Sequence, residues 1–164
     1  LGRLQQRFEE MSGETVSMDI RTNTVNRINT SIPTRLLHKD AVLTGTGAGT
    51  YFTVFPAYQD IGQIGFYQHA HNDYLEFMAD SGWIGILLLA AIVIISFMAA
   101  IRAMRARRHP LMRGMAFSSV MGILSLMIHS TTDFNFHIPA NASLFMVILA
   151  LGWIALAMPV GNRK

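Results

Sequence analysis

The polar and apolar positions of the chain separate into two halves. Residues 1–80 are polar, whereas residues 82–160 are mostly apolar. The first long apolar run extends from Trp83 to Ile101 and carries no charge. At 1.5 Å per helical residue it spans about 28 Å, which is close to the thickness of a bilayer core. The pattern therefore predicts a membrane-spanning helix at about residues 82–101.

Two further apolar segments follow, at about residues 114–131 and 140–160. The segment 114–131 is the less apolar of the two because it contains Ser118, Ser119 and Ser125, so we expect it to pack inside a helical bundle. The three segments together predict an all-α, polytopic integral membrane protein. Before them, residues 1–81 are expected to form a loop segment with short helices on one side of the membrane.

The distribution of charge predicts which side each segment faces. Only 14% of the residues are charged, against roughly 25% in soluble domains. Residues 102–113 carry five arginines and no acid, whereas every acid except Asp133 lies within residues 1–80. Basic short loops face the cytoplasm, so we expect residues 102–113 inside and residues 1–81 outside. This topology explains the net charge of +3 better than nucleic-acid binding does.

The start of the chain and its lack of cysteine give two further expectations. The chain begins at Leu1 instead of Met, and its first residues lack the apolar core of a signal peptide. We therefore expect a C-terminal fragment of a longer protein. The absence of cysteine from the sequence excludes a disulfide framework and a thiolate metal site.

Residues 69–85, HAHNDYLEFMADSGWIG, place a cluster of titratable side chains immediately before the first predicted span. A neutral imidazole at the membrane surface is suited to drawing a proton from a hydroxyl group near pH 7. His69 and His71 also form an H-x-H pair that could bind Zn²⁺ together with Asp73 or Glu76. Because such pairs are common without a metal, we favour a metal-free site.

Three other features of this region have open interpretations. Asp73, Glu76 and Asp80 share one face of the predicted helix (i, i+3, i+7), and we expect that face to be solvated. Asn72 either orients the preceding histidine or caps the helix. The alternating glycines of residues 44–52, TGTGAGTYF, lack the ending of a phosphate loop. They predict a close-packed turn, or else a turn through which the backbone approaches a substrate.

Three motifs in order resemble a known family. His71-Asn72, nine residues and then Gly82-x-x-Gly85 resemble the H-N-x9-G-x-x-G signature of the bacterial O-antigen ligase and O-antigen polymerase superfamily. Residues 34–52 are similar to the family's usual lead-in, which is an Arg-bearing helix followed by a glycine-rich turn. Residues 129–145 resemble the hairpin that closes many members.

The resemblance implies a GT-C-like helical bundle in the bacterial inner membrane. It implies an enzyme that transfers a glycan from undecaprenyl diphosphate to an acceptor hydroxyl on the periplasmic face. The acceptor would be the lipid A core, another glycan or a protein, so the reaction is a ligation or a polymerisation. Known members use neither a metal nor a nucleotide, so no cofactor is expected.

The resemblance also implies roles for individual residues. His71 would be the catalytic base, while Arg35 and Arg27 would bind the diphosphate through charge-assisted hydrogen bonds. The R-x-x-x-L pattern of ligases is not matched at Arg35 or Arg27, because Lys39 and Ser31 occupy its last position. The expected supporting or acceptor-binding groups are Asn72, His69, Asp133 and His129.

A rival interpretation is a transporter or flippase component of polysaccharide export. In that case His129 and Asp133 would relay protons within the membrane region. Such a protein should tolerate the loss of His71 but not the loss of Asp133, whereas a non-catalytic export scaffold should tolerate both.

Overall fold

The computed structural model describes residue 34, residues 41–58 and residues 69–159. A short helix α1, Tyr51–Val54, continues into a 3₁₀ turn, Phe55–Tyr58. Three long helices follow, α2 (Asp73–Ala106), α3 (Pro110–His129) and α4 (Pro139–Ala157), with a second 3₁₀ turn, Asn135–His137, between α3 and α4. These described residues contain no strand, which confirms the prediction of an all-α fold.

Each of the three long helices is long and apolar enough to cross a membrane. They occur where the sequence predicts spans, although α2 extends well upstream of residue 82. Large apolar side chains such as Leu87, Leu88 and Ile95 are exposed on the outside of α2. An apolar outer surface is the one that lipid requires, and the chain is a multi-pass membrane protein.

Small residues form the interior of the three-helix bundle. Ala100 of α2, Ser119 of α3 and Ala155 of α4 are fully buried, and a Cβ placed on Gly152 of α4 would lie 3.0 Å from both Ala100 Cβ and Ser119 Oγ. Such residues let helix backbones approach closely in a membrane. The Ser119 hydroxyl also donates a hydrogen bond of 2.7 Å to the carbonyl of Ile148.

The segment that forms α3 was expected to pack inside a bundle because of its three serines, but only one of the three is buried. Ser119 is buried, whereas Ser118 and Ser125 are exposed. In a bundle of three helices, each helix uses one face to contact its two neighbours. Ser118 and Ser125 lie on the other face of α3, which none of the described helices covers.

Helix α2 is interrupted at Gly82, where φ is 61° and ψ is −166°. This backbone region is essentially restricted to glycine, and it removes helical hydrogen bonds on both sides of the break. The backbone of the glycine-rich turn replaces them. Trp83 N–H donates to Val42 O (3.0 Å), and Ile84 N–H donates to Leu43 O (3.1 Å).

The same turn also satisfies carbonyl groups upstream of the break. Thr46 N–H donates to Ala79 O at 3.0 Å, and Gly47 N–H donates to Asp80 O at 2.8 Å. The approach is so close that a Cβ on Gly45 would lie 2.2 Å from Asp80 O. The close-packed turn predicted from the sequence thus lies in the interruption of α2, where it supplies hydrogen-bond partners on both sides of the break.

Candidate functional site

The sequence signature around His71 lies where the chain enters helix α2. Asn72 is the N-cap of α2, and its Oδ1 accepts a hydrogen bond of 3.1 Å from Leu75 N–H. Its side-chain nitrogen donates to Thr131 O at 2.9 Å. Of the two roles predicted for Asn72, the capping role is the one that its hydrogen bonds show. The second bond ties the start of α2 to the segment after α3.

His71 precedes this cap and has an uncommon backbone conformation. Its φ is 51°, in the left-handed region that costs energy for residues other than glycine. The imidazole is partly exposed, with Nδ1 lying 3.8 Å from Oδ1 of Asp133. The ring also contacts Phe134 edge-on, with 5.4 Å between centroids. The fold therefore brings together His71 and Asp133, which are far apart in sequence.

The three carboxylates of α2 are buried, which corrects the expectation of a solvated face. Asp73, Glu76 and Asp80 are 1%, 2% and 4% exposed. The reason is that the segment after α3 and the glycine-rich turn cover this face. Asp73 accepts hydrogen bonds from the backbone N–H of Phe136 at 3.1–3.2 Å. Asp80 Oδ2 accepts from Gly49 N–H at 2.7 Å.

His137 lies between two of these carboxylates. Its Nδ1 is 3.0 Å from Asp73 Oδ1, and its Nε2 is 3.3 Å from Glu76 Oε1. Burial by itself lowers the pKa of His137, but the hydrogen bond to Asp73 and the negative charges of Glu76, Asp73 and Asp80 outweigh it and raise the pKa above its usual value. The ring stacks on Phe77 with 4.9 Å between centroids.

His69 completes this group from the segment before α2. Its Nδ1 lies 2.9 Å from Glu76 Oε1, and its ring stacks on Phe134 with a centroid distance of 4.5 Å. One ligand atom each from His69, Glu76 and His137 lies within 4.8 Å of the others. The sequence grouped His69 and His71 as a pair with Asp73 or Glu76. In the structure His69 lies beside Glu76, whereas His71 lies apart from them, beside Asp133.

The remaining predicted site residues fall into two groups. Arg35 and Arg27, predicted to bind diphosphate, lie outside the described residues. His129 is exposed at the end of α3, and its carbonyl accepts hydrogen bonds from Thr132. Among the described ion pairs and ring contacts, none joins the His129 side chain to His71.

Sequence reasoning missed His137 as a member of the site. A signal was present, because His137 lies in the same short connection as Asp133, and a connection between the second and third predicted spans falls on the side opposite residues 102–113, where His71 was expected. Buried carboxylates also require a cationic or hydrogen-bonding partner. The sequence alone did not show that the acidic face of α2 is buried, so it gave no reason to look for such a partner.

The structure defines a multi-pass, all-helical membrane protein with a cluster of histidines and carboxylates at one end of its bundle. Residues 17–90 match the family model described as O-antigen ligase, and the predicted resemblance is thereby confirmed. The match indicates a glycosyltransferase-like enzyme of lipopolysaccharide or polysaccharide biosynthesis, with a lipid-linked glycan donor and a glycan acceptor. No curated protein and no solved structure matches the chain.

Proposed function

We propose that the protein transfers a glycan from undecaprenyl diphosphate to an acceptor hydroxyl on the periplasmic face of the inner membrane. The observation that carries the proposal is the position of the signature histidine. His71 lies in the matched family segment, is partly exposed, and has Asp133 beside its Nδ1 atom. His71, the proposed base, precedes α2, whereas Asp133 lies in the connection between α3 and α4.

In the proposed reaction, His71 removes the proton of the acceptor hydroxyl. The hydroxyl oxygen forms a bond to the anomeric carbon of the donor glycan while the bond from that carbon to the diphosphate oxygen breaks. The electron pair of the broken bond leaves with undecaprenyl diphosphate. Asp133 favours the tautomer of His71 that carries its proton on Nδ1, so that Nε2 is free to accept the proton.

Arginine side chains are proposed to stabilise the charge of the leaving diphosphate. We retain Arg35 and Arg27 for this role because bidentate guanidinium groups match diphosphate oxygens. Arg35 directly follows Thr34, whose Oγ1 is hydrogen-bonded to the buried Tyr51 hydroxyl at 2.8 Å. Tyr51 packs in the same cluster as Ala70, which is adjacent to His71. These contacts connect Thr34, which precedes Arg35 in sequence, to the segment that carries His71.

An apolar cavity of about 460 Å³ supports a lipid-linked donor. Its lining runs from Asp73 and Phe136, in the histidine and carboxylate cluster, to Leu89 and Leu149 within the bundle. An apolar chain lying there would leave its polar head beside the cluster. This arrangement is the one expected for a polyprenyl diphosphate held at a membrane surface.

The positive-inside rule supports the proposed periplasmic orientation. The connection between α2 and α3 contains Arg107 and Arg108 and lies at the opposite end of the bundle from His71. Basic short loops remain in the cytoplasm. The cluster is accordingly proposed to face the periplasm, with residues 1–81 on the same side.

The test is complementation of a strain that lacks the gene, with surface glycan measured by gel and mass spectrometry. Replacing His71 with Ala should reduce glycan transfer by about 10²- to 10⁴-fold, the usual contribution of general acid–base catalysis. The matched control is His109→Ala, which removes an exposed imidazole at the opposite end of the bundle. Normal glycan in the His71→Ala strain at normal protein level would refute the proposal.

The same strains separate the remaining possibilities. Polymer that is made but not attached to its anchor identifies a ligase, whereas attached single repeat units identify a polymerase. A strain that tolerates His71→Ala but loses glycan with Asp133→Asn would instead indicate the transporter.

A further inference from the structure

We propose that His69, Glu76 and His137 form a zinc-binding site that fastens the segment after α3 to the start of α2. The three residues come from three different parts of the chain, namely the segment before α2, the first turns of α2 and the 3₁₀ turn before α4. A metal ion bound to all three would therefore connect elements that are distant in sequence.

The potential ligand atoms lie close enough together that small side-chain adjustments would place all three around one tetrahedral zinc ion. Ligands bound to zinc at about 2.1 Å lie about 3.4 Å from one another. Glu76 Oε1 is 2.9 Å from His69 Nδ1 and 3.3 Å from His137 Nε2. One ligand atom from each residue lies within 4.8 Å of the others. Two imidazoles and one carboxylate are also an established set of three zinc ligands, in which water takes the fourth position.

The surroundings orient each ligand toward a common point. Asp73 Oδ1 lies 3.0 Å from His137 Nδ1, and a proton on that nitrogen leaves Nε2 as the ligand atom. Ala70 N–H donates to Glu76 Oε2 at 2.8 Å, so that the other carboxylate oxygen faces the two histidines. A carboxylate behind a metal-binding histidine is a recurrent support in zinc sites.

Aromatic stacking holds both imidazole rings in place. His69 stacks on Phe134 with an interplanar angle of 13°, and His137 stacks on Phe77 with an angle of 28°. The rings are thus already arranged without the metal, which reduces the entropy that binding must overcome.

The balance of charge also favours a bound cation. Asp73 and Glu76 are almost fully buried, and within residues 41–58 and 69–159 their ion pairs are to histidines alone. Buried carboxylates are stable only when they are paired or bind a metal. The side chain of His69 is 30% exposed, and an ion could reach the site from that side.

This site is separate from the proposed catalytic base. His71 pairs with Asp133 and contributes no ligand atom to the group of three. The zinc ion would act in folding and not in glycan transfer, so the inference does not depend on the proposed function. It is also compatible with a transfer reaction that needs no metal.

The experiment measures zinc binding by the full-length protein, purified in detergent with a tag that contains no histidine. After treatment with a chelator and dialysis against Zn²⁺, metal content is determined by mass spectrometry and thermal unfolding is followed with and without Zn²⁺. We expect one zinc ion per chain and a higher Tm with zinc. His69→Ala and His137→Ala should abolish both effects, and Asp73→Asn should weaken binding about 10- to 100-fold.

His109→Ala is the matched control, because it removes an exposed histidine far from the site and should leave both effects intact. If His137→Ala fails to fold, His69→Ala decides, since it preserves the contact between His137 and Asp73. Absence of stoichiometric zinc binding by the folded wild-type protein would overturn the proposal. So would equal binding by His69→Ala and His109→Ala, which would show that the metal binds elsewhere.

Discussion

The interruption of α2 at Gly82 gives a sharp prediction about stability. Gly82 has a φ of 61° and a ψ of −166°, and a Cβ at this position would lie 2.4 Å from the carbonyl carbon and oxygen of Leu43. Because the neighbour is backbone, it cannot rotate out of the way. Gly82→Ala must therefore push the glycine-rich turn out of the break in α2.

The expected loss can be estimated from two contributions. An alanine in this glycine region costs about 1–3 kcal/mol in backbone strain. Four backbone hydrogen bonds connect the turn to α2 across the break, and the loss of two of them costs about 0.5–1.5 kcal/mol each. Together these give about 2–6 kcal/mol, a large part of the about 5–15 kcal/mol that stabilises a typical protein.

The measurement is thermal unfolding of the purified protein in detergent, for which about 1 kcal/mol corresponds to about 2–4 °C in a chain of this size. We expect Gly82→Ala to lower the Tm by at least about 4 °C. The control is Gly114→Ala, because a Cβ there meets nothing within 4 Å and alanine is the better helix former. Equal Tm values for the two variants would refute the view that the turn is seated in the break.

Two further substitutions test other contacts by the same unfolding assay. Asn72→Ala removes the N-cap of α2 and should cost about 1 kcal/mol, whereas Asn72→Asp, which keeps the accepting oxygen, should retain most of the stability; equal losses would contradict the capping role. Gly152→Leu should cost about 1–3 kcal/mol through overpacking, because its Cβ would already lie 3.0 Å from Ala100 and Ser119. Gly114→Leu is its control, and a similar Tm for both would argue against the close approach of the helices.

The long helices could be predicted because a bilayer requires about 20 consecutive apolar residues, and this requirement is local in sequence. The close packing of the glycine-rich turn was also predicted from its composition. Its location in the break of α2 was not predicted, since nothing in a local pattern identifies which distant backbone will occupy the space beside Gly82.

The site was predicted less completely, for a related reason. The spacing of Asp73, Glu76 and Asp80 showed correctly that they share a face, but spacing does not show what covers that face. The cover comes in part from the connection that contains His137, which is more than fifty residues away in sequence. The approach of His71 to Asp133 depends on the same long-range contact, and the roles proposed for both residues stay predictions.

Four main-chain hydrogen bonds link the glycine-rich turn to α2, and the side chain of Asp80 adds a fifth through Gly49 N–H. Val42 and Leu43 supply carbonyl oxygens to this link while their own side chains remain 42% and 64% exposed. Substitution of these two outward side chains would therefore change the surface beside the break in α2 without removing the hydrogen bonds that join the turn to it. Gly45 and Gly82 do not tolerate such substitution, because a Cβ on either glycine would overlap backbone atoms of the opposing segment.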